Sequence, residues 1–305
     1  MPIRALMLVK NERDIIDATI RAAGPWCDHI YVFDNGSTDG TWERIRELAR
    51  TQRSIVPFKQ EASPFSQALR GEIFREFRGS AAHDDWWCIL DADEIYIDDP
   101  RAFLGRVPSG YGEVCSASYQ YYFTDVDAAR YEGSSEEFLA ADVENRLRYY
   151  LNNWSESRFI RHHAGLVWPE DREGRPVGKR PVGLRRRYPD RIRLKHYQYR
   201  SPEQIQRRME TRSTVTQSYR HEQQEQWLQH LFGDQAPALV VGGAPSWRDR
   251  VVPASLLHLD RGDGAYVANE PALPPIPRDP LRLRELSQQA ASLRWRVRRG
   301  VRQLL

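Results

Sequence analysis

Three acids, Asp91, Asp93 and Glu94, fall within four positions directly after the apolar run "WWCIL". Two carboxylates ~4 Å apart repel by roughly 4 kcal/mol at an effective dielectric near 20. Such crowding calls for solvent, a basic neighbour or a cation. Asp91 and Asp93 have the chemistry to hold one hard divalent cation, Mg²⁺ or Mn²⁺, with phosphate oxygens and water completing its shell. That cation would offset the repulsion and neutralise charge on a departing diphosphate. Acids at a strand end are also often merely solvated, so the position of this group in the fold matters more than its composition.

A second polar stretch, "DNGSTDGT", spans 34–41. Its residues are turn formers, and Ser37, Thr38 or Asp39 can cap a helix. A calcium-binding loop of the twelve-residue type fails, because counting from Asp34 or Asn35 gives no Glu at the twelfth position. The functional reading is that Asp34 accepts hydrogen bonds from a base or ribose. The helix start near Gly40 would favour an anion there.

The elements between these stretches fix where they lie. Short apolar runs at 3–9, 29–33, 54–58 and 86–90 read as strands, the third an edge strand because it contains Pro57. Helical periodicity fills 12–24, 40–50 and 66–79. The alternation predicts a Rossmann-like α/β open sheet, mainly parallel, with helices on both faces. In such a sheet ligands bind beyond the carboxyl ends of the strands. The clusters at 10–12, 34–40 and 91–94 all follow strand ends and should therefore share one rim.

Beyond residue 100 the pattern loosens. Segments 113–123, 144–151, 157–163 and 191–197 read as strands, and 201–231 as a long or broken helix. We divide the chain into a nucleotide-binding half (1–100) and an acceptor half (101–235) of one domain. A Pro-rich wrap or linker (236–280) and a basic amphipathic helix (281–305) follow.

These residues together resemble family 2 glycosyltransferases of the GT-A fold. "MLVKNERDII" resembles the family's opening strand in a subgroup that begins with KNE. "VFDNGSTDGT" is similar to its nucleotide-binding loop, and "WWCILDADEIY" to its DxD block. "SQALRGEIF" resembles the Arg-bearing segment between them, and "LKHYQYRSPEQIQRR" a later His-Tyr element. The resemblance covers about 1–100 well and 190–210 moderately. It implies that Asp34 binds the base, with Asn35 beside it, and that Asn11 and Glu12 line the nucleotide pocket. It also implies that Arg70 meets a phosphate or braces the carboxylates, and that Asp91 contacts ribose and metal. Asp93 and His196 would complete the metal or diphosphate ligands, and Arg200, Arg207 and Arg208 would approach phosphates.

The implied activity is metal-dependent, hexosyltransferase-type transfer from a nucleotide-diphosphate sugar, UDP-sugar favoured. The acceptor would be a glycan, lipid-linked or protein group, as in cell envelope polysaccharide assembly, and the family leans toward inversion. Inverting transfer needs a carboxylate to take the acceptor proton. No motif fixes it; Asp142 and Glu144 are the first candidates, followed by Glu156, Glu170 and Asp171. A nucleotidyltransferase, or a non-catalytic sugar-nucleotide-binding protein on the same fold, is the competing expectation.

Composition sets the remaining bounds. The net charge of +3 and the lack of a module motif argue against nucleic acid. Three cysteines without a CxxC pair support neither a disulfide framework nor a cysteine zinc site. No run reaches the roughly 20 apolar residues of a spanning helix, and the opening residues do not form a signal peptide. A cytoplasmic setting is expected. In the tail, Arg294, Arg296, Arg298, Arg299 and Arg302 alternate with Leu293, Trp295, Val297 and Val301. That pattern fits a docked helix equally with peripheral contact to anionic lipid, where each basic residue contributes about 1 kcal/mol.

Overall fold

The structure, a computed structural model, describes residues 1–213, 231–232, 246–269 and 273. The predicted helix beyond 213, much of the Pro-rich stretch and the basic C-terminal segment lie outside the described residues.

The first hundred residues alternate as the periodicity requires: β1 (Ile3–Val9), α1 (Ile16–Ala23), β2 (His29–Asp34), α2 (Thr41–Thr51), β3 (Ile55–Gln60), α3 (Arg70–Phe77) and β4 (Trp86–Asp91). All seven residues of β1 are buried, as a central strand covered on both faces demands. It pairs in parallel with β2 and β4, and β2 with β3. Pro57 sits on β3, at the end of the strand order, where a missing N–H is tolerated.

Next come β5 (Glu94–Tyr96), α4 (Pro100–Gly105), β6 (Tyr111–Tyr121), α5 (Asp125–Gly133), α6 (Ser135–Ala140) and α7 (Val143–Arg146). Then follow β7 (Tyr149–Trp154), β8 (Ser157–Arg161), β9 (Arg186–Arg187), β10 (Ile192–His196), α8 (Pro202–Ser213) and β11 (His258–Leu259). The short helices have legible starts. Asp99 accepts from the amides of Arg101 and Ala102 at the head of α4, with Pro100 in its first turn. Thr124 and Asp127 form a capping box on α5. Segment 144–151 divides between α7 and β7 instead of forming one strand.

The expectation of a mainly parallel sheet is corrected. The order is β11-β7-β6-β8-β4-β1-β2-β3, with β10 between β5 and β6 and β9 also on β6. The β4–β8, β8–β6, β6–β7, β5–β10 and β7–β11 ladders are antiparallel, so the sheet is mixed. The reason is the run through β7 and β8. After α5, α6 and α7 turn the chain around, β7 and β8 pass along β6 in one direction nearly without a break, antiparallel to it, and the β8 end then wedges between β6 and β4, antiparallel to both.

Helices cover both faces of the parallel part. Ile16, Ile20, Ile45, Phe103 and Leu104 from α1, α2 and α4 pack with Ile3, Ala5, Met7 and Val9 on one side. Ile73 and Phe74 of α3 pack with Leu6, Leu8 and Trp87 on the other. A third core, rich in tyrosine, lies under β6, β7 and β10 and takes Ile205 and Met209 from α8. Trp86 and Trp87 are fully buried on successive positions of β4, and so belong to the two opposite cores. Burial of a large apolar side chain contributes roughly 1.5–3 kcal/mol, and these two fix β4 from both sides. All three cysteines are buried and free. No helix among the described residues is long and apolar enough to cross a membrane.

Candidate functional site

The ends of β2 and β4 flank the end of β1: Asp34 pairs with Val9, and Asp91 with Leu8. With strands ~4.8 Å apart, the two acids stand roughly 10 Å from each other along one rim. They differ by one position in pleat phase. Val9 belongs to the core under α1, and Leu8 to the core under α3. Asp34 and Asp91 therefore share the rim but leave the sheet from opposite sides.

The loop after β2 is stitched to the turn after β1. Asn11 takes a positive φ of 56°. Its amide donates to Ser37 Oγ at 2.9 Å, and its Oδ1 accepts from the Thr38 amide at 2.8 Å. The Glu12 amide donates to Thr41 Oγ1 at 2.9 Å. Asp34 Oδ1 accepts from the Ser37 amide at 2.7 Å and from Gln60 at 3.4 Å. Asn35 Oδ1 accepts from Ser63 N and Oγ, both at 3.1 Å. Asp34 Oδ2 and Asn35 Nδ2 are buried without a hydrogen-bond partner among the described residues. An unmatched acceptor and an unmatched donor thus sit side by side in the sequence at a place where burial makes each costly.

The acids at 91–94 separate into two corners. In the first, Asp91 Oδ1 is bonded by Arg70, and its Oδ2 lies 3.0 Å from Arg158 Nη2. The same Arg158 nitrogen bonds Glu94 and reaches Glu156 Oε2 at 2.8 Å. Arg70 is itself oriented by donating from Nε to the carbonyl of Leu6 at 3.2 Å. Burial pushes the Asp91 carboxyl up, but Arg158 and Arg70 outweigh it and hold it below the usual range. For Glu94 burial wins over Arg158, and its carboxyl rises to about 8.

In the second corner, Asp93 Oδ1 lies 3.3 Å from His196 Nε2, while its Oδ2 faces Arg208 at 3.6 Å and Arg200 at 3.8 Å. Burial opposes the charge of Asp93, but His196, Arg208 and Arg200 overcome it and depress its carboxyl. Burial opposes the imidazolium as well, and Asp93 overcomes it, so His196 is raised. Arg200 is fully buried. It grips Asp14 with two nitrogens at 2.8 Å, Glu12 at 2.6 Å and the Tyr197 carbonyl at 2.8 Å. It thereby ties the turn after β1 to the start of α8. Burial raises Glu12 to about 7 against the pull of Arg200.

Arginines therefore supply the countercharge that acid crowding alone assigns to a cation. Among the described residues no group of three His, Cys, Asp or Glu side chains is placed to hold a metal. Asp93 and His196 come together; Asp91 and Asp93 have different partners. Arg70 braces Asp91. Arg207 reaches Asp39 at 3.3 Å across from α8.

The first carboxylate candidates fall elsewhere. Asp142 is exposed at the head of α7. Glu144 pairs at 2.9 Å with Lys195, which also meets Asp260 at 3.1 Å and lies over the rings of Tyr121 and Tyr266. Glu170 pairs with Arg75, and Asp171 with Arg175. Glu156 alone of the five joins the Asp91 corner. Arg158 is the residue that sequence reading passes over, although an Arg beside Phe159 and Ile160 in "SRFIR" is a charge on a strand that burial makes significant.

No family model matches the chain, and no curated protein matches it. Solved structures do. S. aureus TarS 1–349 is 12% identical with a TM-score of 0.35, covering 77% of this chain and 73% of that one. The same fragment in complex with UDP is 14% identical with a TM-score of 0.31; the match covers 40% of this chain and 36% of that one. The mannosyltransferase PcManGT from Pyrobaculum calidifontis, in complex with GDP-Man and Mn²⁺, is 14% identical with a TM-score of 0.40, covering 77% and 65%. The chain thus spans about a third of the length of the UDP-bound fragment it matches.

Proposed function

We propose that the chain is a glycosyltransferase that moves a sugar from a nucleotide-diphosphate sugar to a carbohydrate or lipid-linked acceptor. The observation that carries this reading is that three polar corners line one rim of the sheet. Asp34 stands on one side of the β1 end, Asp91 on the other, and the Asp93–His196 pair next to it.

Each corner suits a part of the donor. The unmatched Asp34 Oδ2 and Asn35 Nδ2 would offer an acceptor and a donor to a base edge, with Asn11 stitched to the same loop and Glu12 held back on Arg200. Asp91, fixed by Arg70 and Arg158, accepts from ribose hydroxyls. Arg208, with Arg207 on the same helix, supplies positive charge for the diphosphate. Asp93 and His196, once the imidazole gives up its proton, would supply two of the six ligands of a divalent cation. Adjacent ligands of an octahedral ion bound at about 2.1 Å lie about 3 Å apart, and these two atoms lie 3.3 Å apart. Mn²⁺ or Mg²⁺ there would neutralise charge on the leaving diphosphate. A cytoplasmic position at the inner face of a membrane rests on the basic composition of 281–305.

The test is product release. UDP- and GDP-sugars are incubated with the protein and Mn²⁺, and nucleoside diphosphate is measured with and without glycoside acceptors. Acceptor-stimulated release, lost in Asp93→Asn, is expected. Release of pyrophosphate would establish nucleotidyl transfer instead, and full activity in Asp93→Asn would reject the role of that corner.

A further inference from the structure

Glu156 and Trp154 are not accounted for by the donor site. Trp154 ends β7 opposite Ser118 and is 52% exposed, the most exposed large apolar side chain among the described residues. Two positions later, Glu156 keeps 31% of its side chain accessible while its Oε2 rests on Arg158 Nη2. That nitrogen is the one that holds Asp91, so a single guanidinium group separates Glu156 from the strand-end acid of the rim. The backbone between them is fixed. The Ser116 amide donates to the Glu156 carbonyl at 2.8 Å, the Glu156 amide to Ser116 Oγ at 3.1 Å, and Ser155 Oγ to the Ser116 carbonyl at 2.6 Å.

Resting on the glycosyltransferase reading, we propose that Trp154 and Glu156 form the acceptor subsite and that it receives a sugar. An exposed indole gives the apolar face of a pyranose a flat surface on which to lie, at little entropic cost because the ring is rigid. The neighbouring carboxylate meets the hydroxyl edge. Glu156 is the catalytic residue of this step. The acceptor oxygen bonds to the anomeric carbon as the bond from that carbon to the diphosphate oxygen breaks. The hydroxyl proton passes to Glu156, and the electron pair leaves with the nucleoside diphosphate. Arg158, itself buried and also bonded to Asp91 and Glu94, positions the carboxylate.

The test uses the full chain labelled with ¹⁵N at its tryptophan indoles, with Trp154→Phe identifying the Trp154 resonance. A panel of aryl and alkyl glycosides is titrated without donor. A saturable shift of that resonance is expected with at least one glycoside. With that glycoside as acceptor, Glu156→Gln should lower kcat about 10²–10⁴-fold, and Trp154→Ala should act mainly on KM, with Phe restoring part of it. Calorimetric binding of UDP or GDP should be unchanged in Trp154→Ala. A Trp154 resonance that no glycoside moves, or wild-type kcat in Glu156→Gln, overturns the subsite while nucleotide binding persists. Failure of the wild-type chain to bind any nucleoside diphosphate overturns the parent reading instead, and the tryptophan resonance still decides whether a sugar binds at this corner.

Discussion

Asp93 and His196 face one another at 3.3 Å, brought together by the antiparallel pairing that sets His196 opposite Glu94. Each favours the charged form of the other, and Arg200 and Arg208 add to the field on Asp93. The pair is separate from Asp91, whose charge is met by Arg70 and Arg158.

Arg158 is the keystone of the Asp91 corner, with 2% of its side chain exposed and three carboxylates around one nitrogen. Removing one partner of a buried ion pair costs about 3–5 kcal/mol, because the opposite charge is left uncompensated. Arg158→Met should therefore lower stability by about that amount in urea denaturation, and Arg158→Lys by less. A loss below about 1 kcal/mol in Arg158→Met would mean that solvent, not the guanidinium, balances these acids.

Gly36 and Gly40 both adopt positive φ, 75° and 88°, where an L side chain is strained by roughly 1–2 kcal/mol. Their surroundings differ. A Cβ on Gly36 would stand 2.7 Å from the Ala62 Cβ, whereas one on Gly40 meets nothing closer than 4.0 Å. Gly36→Ala should therefore lower Tm more than Gly40→Ala, and should also weaken nucleotide binding because it moves the loop that carries Asp34. Equal Tm shifts would contradict the close packing of this loop on residues 61–63.

Asp14 contributes to the acid limb of stability. Burial pushes its carboxyl up, but Arg200 prevails and holds it below 3.8. A group depressed on folding adds stability above its unfolded value and loses it as pH falls through the folded one. Stability should thus decline below about pH 4, and Asp14→Asn should flatten that decline in denaturation curves taken across acid pH. An unchanged acid limb in the variant would remove Asp14 from the account.

Much of the first hundred residues was legible in the sequence because each element there has its own local cause. Buried strands are short and apolar, helices repeat at 3.6, and polar clusters follow strand ends, so Asp34 and Asp91 could be assigned to one rim. Strand direction beyond residue 100 was not legible. It depends on β8 returning beside β4, a contact between distant segments that no local pattern encodes. The pleat phase of the two acids also escaped, since it turns on whether β1 offers Val9 or Leu8 as neighbour. The same limit explains the countercharge. Acid crowding is visible at 91–94, but its countercharges reach it from 64 and 107 residues or more away in the chain: Arg158 is named only by the fold, and Arg200, expected at a phosphate, is found among acids. Glu156 was one carboxylate among several until its contact with Arg158 set it apart.

The most direct test of the central claim is calorimetric titration of UDP and GDP, with and without Mn²⁺, into the wild-type chain and Asp93→Asn. At least one of the two nucleotides should bind the wild type, Mn²⁺ should tighten this binding, and the Mn²⁺ effect should disappear in Asp93→Asn while the variant stays folded. Absence of binding by both nucleotides, or a Mn²⁺ effect that survives the substitution, would contradict that claim.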